Sequence, residues 1–229
     1  MILGICNLQT GSKMKDVKRE GADIMVCLDV SNSMLAQDLT PNRLERSKIA
    51  IENMVNKLQG DRLGIIVFAG EAYVQLPITT DYSTAKLFLD GIDTKIVPTQ
   101  GTNIADAINK AVESFGKDEG KNKAIVIITD GEENSSRFYT YHEIARMVKE
   151  LDETGKWTFS FLGADLDAFH TSQMLNIRQE NVISFSKSNY SNIMDDVSES
   201  IKCYANSKSV GNIKNNIFDI FDKKDRRES

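Results

Sequence analysis

The stretch Ala22 to Leu35, ADIMVCLDVSNSML, constrains this chain more than any other. From Asp23 to Leu28 it is almost wholly apolar, the pattern of a strand buried on both faces at the centre of a parallel sheet rather than one with a solvated side. The run stops at Asp29, and Ser31 and Ser33 follow at two-residue spacing. Alternate residues of an extended segment point to the same side, so these three hard oxygen donors converge if the chain curls at the strand end. Mg²⁺ takes oxygen ligands at about 2.0 to 2.1 Å and accepts hydroxyls and waters among them. The same residues also fit an ordinary turn or helix N-cap, because Asp and Ser side chains bond nearby backbone donors.

Two later segments bear on that choice. VPTQGTNIADA places Thr102 in a glycine-bearing loop ahead of a helix, and AIVIITDGEEN places Asp130 at the end of a second apolar strand. Thr102 read alone is as easily a helix cap as a ligand, and an Asp-Gly pair after a strand read alone is a turn. Taken together, Asp29, Ser31, Ser33, Thr102 and Asp130 form an oxygen-only set suited to a hard divalent cation. Hydroxyls carry no formal charge, so two carboxylates at most neutralise the ion, and a free position would attract an outside carboxylate.

At these residues the chain resembles a known family. DVSNSM, QGTNIADA and IITDGEE are similar to the metal-ion-dependent adhesion site of von Willebrand factor A domains, and the likeness extends over most of Ala22 to about Ala205. From about Lys13 to Glu133, SNSMLAQDLTPNRLERSK, GIIVFAGEAYVQLPITTDY and PTQGTNIADAI resemble bacterial aerotolerance-operon proteins of this type. WTFSFLGADLDAF, in the second half, is more similar to small soluble bacterial or phage-borne A domains. The resemblance implies a protein-binding adhesion or scaffold module, not an enzyme. On that resemblance the module would hold Mg²⁺ or Mn²⁺, and a Glu or Asp of a partner protein would complete the octahedron. It further implies that Asp29 anchors the ion, Ser31 and Ser33 ligate directly, Thr102 joins directly or through water, and Asp130 holds a coordinated water.

Composition narrows the alternatives. At 229 residues the chain fits one medium domain with tails, large enough for a sizeable core. A formal charge of -5 disfavours a nucleic-acid binder, which would carry a basic patch. Cys6, Cys27 and Cys203 are odd in number and lack a C-x-x-C spacing, so neither a disulfide framework nor a zinc site is suggested. The opening MILGICNL is too short to span a bilayer and lacks signal-peptide features. The chain as written therefore reads as cytoplasmic, or membrane-proximal or periplasmic if a tether has been removed, since aerotolerance relatives are membrane-tethered.

Hydrophobic patterning gives the architecture. Residues 1–20 read as a lead-in, 21–206 as the A domain, and 207–229 as an amphipathic segment, with Ile213, Ile217, Ile220 and Phe221 at helical spacing, and a charged tail. Leu44, Ile51, Val55 and Leu58 mark a helix after Pro41, and Gly60 closes it. Strands are expected at Arg62 to Phe68, Tyr73 to Leu76, Lys123 to Thr129, Trp157 to Leu162 and Val182 to Phe185. Helices are expected at Ser83 to Leu89, Ile104 to Phe115, Tyr141 to Glu153 behind a Thr140 and Glu143 capping box, a short stretch from Asp165 or Asp167, and a long one from Ser191. The second and third strands are too close in sequence for a parallel crossover and must form a hairpin. The expectation is a three-layer α/β fold: a doubly wound, mostly parallel six-stranded sheet of order 3-2-1-4-5-6, one antiparallel edge strand, and helices on both faces.

Two rivals to the binding module are a Mg²⁺-dependent phosphoester hydrolase with Asp29 as nucleophile, and a metal-independent interaction domain. The hydrolase needs an acid or base and cationic help for phosphate. His142 and His170 fall in or beside later helices, and no Lys or Arg lies within the three ligand segments. Surfaces flanking the site are Met34 to Asn42, Gly70 to Tyr73, Pro98 to Thr102 and Glu133 to Tyr139.

Overall fold

The computed structural model describes residues 21–38, 40–116, 121–130, 141–164, 167–185, 190–209 and 216–218. Six strands form one sheet: β1 (Asp23–Asp29), β2 (Arg62–Phe68), β3 (Ala72–Thr79), β4 (Lys123–Ile128), β5 (Trp157–Ala164) and β6 (Val182–Phe185). Their order is β3-β2-β1-β4-β5-β6, the order expected from sequence. All neighbours are parallel except the β2–β3 hairpin. The helices of the described residues are α1 (Arg43–Lys57), α2 (Tyr82–Asp90), α3 (Ile104–Ser114), α4 (Tyr141–Glu153), α5 (Asp167–Met174) and α6 (Tyr190–Ser209).

Strand alternation splits the interior into two cores. Ile24, Val26 and Leu28 of β1 pack with Leu44, Ile51 and Val55 of α1, Leu89 of α2, and Val197, Ile201 and Tyr204 of α6. Met25 and Cys27, pointing the other way, pack with Ile104 and Ile108 of α3 and Ile144 and Val148 of α4. Every residue of β1 is buried, which is why its sequence shows no polar face. Cys27 is a core residue whose thiol donates to the Ala107 carbonyl at 3.8 Å, and burial pushes its ionisation far upward.

Several boundaries differ from expectation for local reasons. α1 begins at Arg43, because Asn42 is the N-cap and accepts from the Glu45 amide at 2.8 Å, and the chain before it forms a single 3-10 turn, Asn32–Leu35. The cap of α3 is Asn103, accepting from the Asp106 amide at 2.9 Å, which decides between Asn103 and Thr102. β3 is longer than its apolar centre because it pairs along β2 from Phe68↔Ala72 to Leu63↔Thr79. Pro77 is tolerated there since an edge strand needs no outward amide partner. Near the C-terminus, residues 216–218 are not helical, yet Ile217 and Phe218 are buried in the core shared by α1 and α6, and the Ile217 amide donates to Asn181 Oδ1 at 2.8 Å. The expected lead-in, the Thr140 cap, Asp165 and the surface Glu133 to Tyr139 lie outside the described residues.

Candidate functional site

β1 and β4 are adjacent and in register from Asp23↔Lys123 to Leu28↔Ile128, so Asp29 and Asp130 emerge together at the carboxyl end of the sheet. That is the point at which successive strands turn to opposite sides, where open α/β sheets bind their ligands. The Val30 amide continues the ladder to the Phe68 carbonyl at 2.8 Å, after which the chain turns through Ser31 into the 3-10 turn.

Four of the five predicted ligands are joined by short contacts. Ser31 Oγ and Ser33 Oγ are 2.9 Å apart, and Ser33 Oγ donates to Asp130 Oδ1 at 2.9 Å. Asp29 accepts from the Ser31 amide at 2.8 Å and from the Thr129 hydroxyl at 2.6 Å. Thr102 is buried in the neighbouring loop, and that loop is tied to both sides of the site. The Gly70 amide donates to the Thr99 carbonyl at 2.8 Å, the Asn103 amide to the Ala69 carbonyl at 2.7 Å, and the Asn32 amide to Gln100 Oε1 at 3.0 Å. Two glycines make this packing possible. Gly101 has φ of 125°, a conformation that side chains rarely adopt. A Cβ on Gly70 would stand 2.7 Å from the Gln100 carbonyl oxygen and 2.9 Å from that of Thr99.

The electrostatics are uneven. Asp29 is 0% exposed, and among the described residues it makes no ion pair. Desolvation pushes its carboxyl up to about 6 from 3.8, only partly opposed by hydrogen bonds from Thr129 and Ser31, and the nearby Asp130 charge adds to the upward push. A buried carboxylate held by neutral donors alone, with two hydroxyls beside it, fits a bound cation that would supply the missing charge. The donor set is oxygen only, which suits Mg²⁺ or Mn²⁺ better than a soft metal.

One participant comes from outside the sequence pattern. Arg43, the first residue of α1, donates through Nη1 to Asp130 Oδ2 at 2.7 Å, and through Nε and Nη2 to the two oxygens of Asp38 at 2.9 and 2.6 Å. The three ligand segments carry no basic residue, but the fold brings one to them. Its signal is local: a cation at the first position of a helix opposes the helix dipole and so needs a reason to be there. Thr129 shows in the sequence only as the end of an apolar strand, although its place across from Asp29 follows from the β1–β4 register. Arg43 is engaged on both sides by carboxylates, so it is not presented to a substrate phosphate. His142 and His170 are exposed on α4 and α5.

A doubly wound sheet with Asp-x-Ser-x-Ser at the end of its central strand defines a class of α/β ligand-binding domain. A von Willebrand factor type A domain model matches residues 24–133. An aerotolerance-related membrane protein from Bacteroides fragilis, whose crystal structure carries multiple mutations to serines, is 44% identical, with 62% of this chain and 67% of that chain covered at a TM-score of 0.55. BatB from Bacteroides thetaiotaomicron is 33% identical, with 78% and 98% covered at 0.63. The chain belongs to the von Willebrand factor type A family, whose domains generally mediate metal-dependent protein interactions. At the level of fold alone it is similar to proximal thread matrix protein 1 of the mussel byssus, solved with a zinc-occupied MIDAS motif, at 21% identity, 82% and 47% coverage and a TM-score of 0.63. The chain spans about a third of the length of curated bacterial relatives it matches, 34% of one and 36% of another. No helix among the described residues is long and apolar enough to cross a membrane.

Proposed function

We propose that this domain is a metal-dependent protein-binding module in which Asp29, Ser31, Ser33, Thr102 and Asp130 hold Mg²⁺, or Mn²⁺ in its place, and a Glu or Asp carboxylate of a partner protein completes the coordination. The observation that carries this reading is the buried Asp29 carboxylate, which has no ion-pair partner among the described residues, beside the linked hydroxyls of Ser31 and Ser33. A bound ion would supply Lewis-acid attraction for an outside carboxylate. The chain's own part is to fix the donors, and it does so through the Thr129 and Gln100 hydrogen bonds and the Gly70 contact. The zinc-occupied motif of the byssus protein supports the reading by analogy.

A single carboxylate contact is too small to select a partner, so the loops around it must add area. Leu35, at the end of the 3-10 turn, and Tyr73, near the start of β3, are large, exposed side chains on two of the flanking surfaces. Among the described residues no feature of the site favours hydrolysis, since both histidines are exposed on outer helices and the nearby Arg43 guanidinium is already engaged. The unit responsible is the segment 21–206 with its C-terminal extension, placed in the cytoplasm or, by analogy with the Bacteroides fragilis membrane protein, beside a membrane.

The decisive experiment titrates MgCl₂ into the full chain by calorimetry and compares capture of binding proteins in Mg²⁺ with capture in chelator. Asp29→Ala is expected to abolish both the binding heat and the Mg²⁺-dependent capture while the circular dichroism spectrum is retained. Capture that persists in chelator would remove the metal from the account. Gly70→Ala is a subtler probe: its Cβ must push the 99–100 backbone away, so Mg²⁺ affinity is expected to fall about tenfold, or about 1.4 kcal/mol, together with a lower melting temperature from the crowding. Unchanged affinity would show that Thr102 does not contribute to the site.

A further inference from the structure

Asp130 has a completely buried side chain, and both of its oxygens already have a donor. Ser33 supplies a neutral hydrogen bond and Arg43 the balancing charge. The guanidinium is held in plane by its two bonds to Asp38, and the Arg43 amide bonds the Ala36 carbonyl at 3.2 Å, so Nη1 is aimed at Asp130 by a folded loop as well as by its own stem. Ser47 Oγ donates to the Arg43 carbonyl at 2.9 Å and seats the same residue in the first turn of α1. A lysine could carry the charge but could not make this two-sided contact, because the fork geometry belongs to arginine alone.

Asp29 and Asp130 are therefore unequal. Asp29 lacks a cationic partner among the described residues, while Asp130 has one. A carboxylate whose charge is already matched, and which would bring a divalent ion up against a guanidinium if it bonded that ion directly, is a poor direct ligand. Each of its oxygens keeps a lone pair able to accept from a metal-bound water. Mg²⁺ releases its waters reluctantly and is content with one or two carboxylates, whereas Ca²⁺ gathers six to eight oxygens and profits from each additional carboxylate. We infer that Arg43 is a positioning residue that keeps Asp130 out of the direct ligand set and thereby makes the site prefer Mg²⁺ over Ca²⁺. This rests on the metal-binding reading above, and it adds a residue outside the five ligands together with a selectivity that they do not specify.

The test measures Mg²⁺ and Ca²⁺ dissociation constants by calorimetry for the full chain and for Arg43→Met, Arg43→Lys and Asp38→Asn, each checked for folding by thermal denaturation. Releasing Asp130 in Arg43→Met is expected to tighten Ca²⁺ binding about tenfold or more while Mg²⁺ changes less, so the Ca²⁺ to Mg²⁺ affinity ratio rises. Arg43→Lys is expected to fall between the two. Asp38→Asn, which loosens the guanidinium without removing it, is expected to move the ratio the same way by a smaller factor and answers the question if Arg43→Met does not fold. A folded Arg43→Met or Asp38→Asn with an unchanged ratio overturns the inference and leaves the site intact. Failure of the wild-type chain to bind either ion overturns the metal reading, and this inference with it.

Discussion

Asp29→Asn is expected to stabilise the cation-free protein by about 3 kcal/mol at pH 7 while removing its ability to bind the ion. The native carboxyl titrates at about 6 and the unfolded one near 3.8, a raised value with desolvation as its main cause. Folding therefore takes up a proton between those two values. Stability from this group is highest in acid, falls as pH rises through about 4 to 6, and is flat above. Around it stand Asp130, which pushes in the same direction, Thr129 and Ser31, which oppose it, and Arg43, whose charge is spent on Asp130 and Asp38. Asparagine keeps an acceptor for the Ser31 amide, and the Thr129 hydroxyl can turn to accept from the new amide. The check is urea denaturation in chelator at about pH 4.5 and 7.5, on either side of the native titration. Carboxylates that do not face Asp29 affect both proteins alike, so the difference between them follows Asp29 and its coupling to Asp130, and it should be about 1 kcal/mol at the lower pH and about 3 kcal/mol at the higher. A difference independent of pH would mean that Asp29 is not a strained charge, and the main argument for a cation at this site would go with it.

The same residue shows why the site can be read from sequence while its tuning cannot. Asp29, Ser31, Ser33 and Asp130 sit within a few residues of strand ends, and strand ends are marked by the stop of an apolar run. The β3-β2-β1-β4-β5-β6 order follows from one hairpin and right-handed crossovers, which leave few other arrangements for this pattern. Once β1 and β4 are neighbours, Asp29 and Asp130 must be as well. Arg43 reaches Asp130 by a different route, through a loop that folds back between Ala36 and Asn42, and no periodicity encodes such a loop. The cap of α3 is ambiguous in sequence for a similar reason, because Thr102 and Asn103 are equally able caps and the entry angle is set by tertiary bonds of Asn103 to Ala69 and Gly70. The C-terminal stripe can be compared only at residues 216–218, the part that is described. Its apolar spacing suggests a helix around Ile217, but burial there is achieved by two consecutive residues in a non-helical stretch.

Replacing Ile217 and Phe218 together by alanine is expected to cost roughly 5 kcal/mol, enough to unfold a domain of ordinary stability. Ile217 is 1% exposed and Phe218 2%, and both lie in the core formed by β1, α1 and α6. Truncating a buried Ile or Phe removes its transfer energy and leaves a cavity that the sheet below cannot close by collapsing, since β1 and β4 are fixed by ladders on both sides. The segment is also held by a polar contact: Asn181 is fully buried before β6, and its Oδ1 accepts from the Ile217 amide. Neighbouring truncations share one cavity, so the double variant should lose less than the sum of the single ones. Urea unfolding followed by tryptophan fluorescence reads this directly through Trp157 at the start of β5. A loss under about 1 kcal/mol would return the boundary of the folding unit to residue 206, whereas the expected loss carries it to Phe218. A chain shortened to end at residue 209 would then expose the apolar face that α1 and α6 share, and its failure to bind a cation would reflect lost packing under α1, the helix whose first residue holds Asp130.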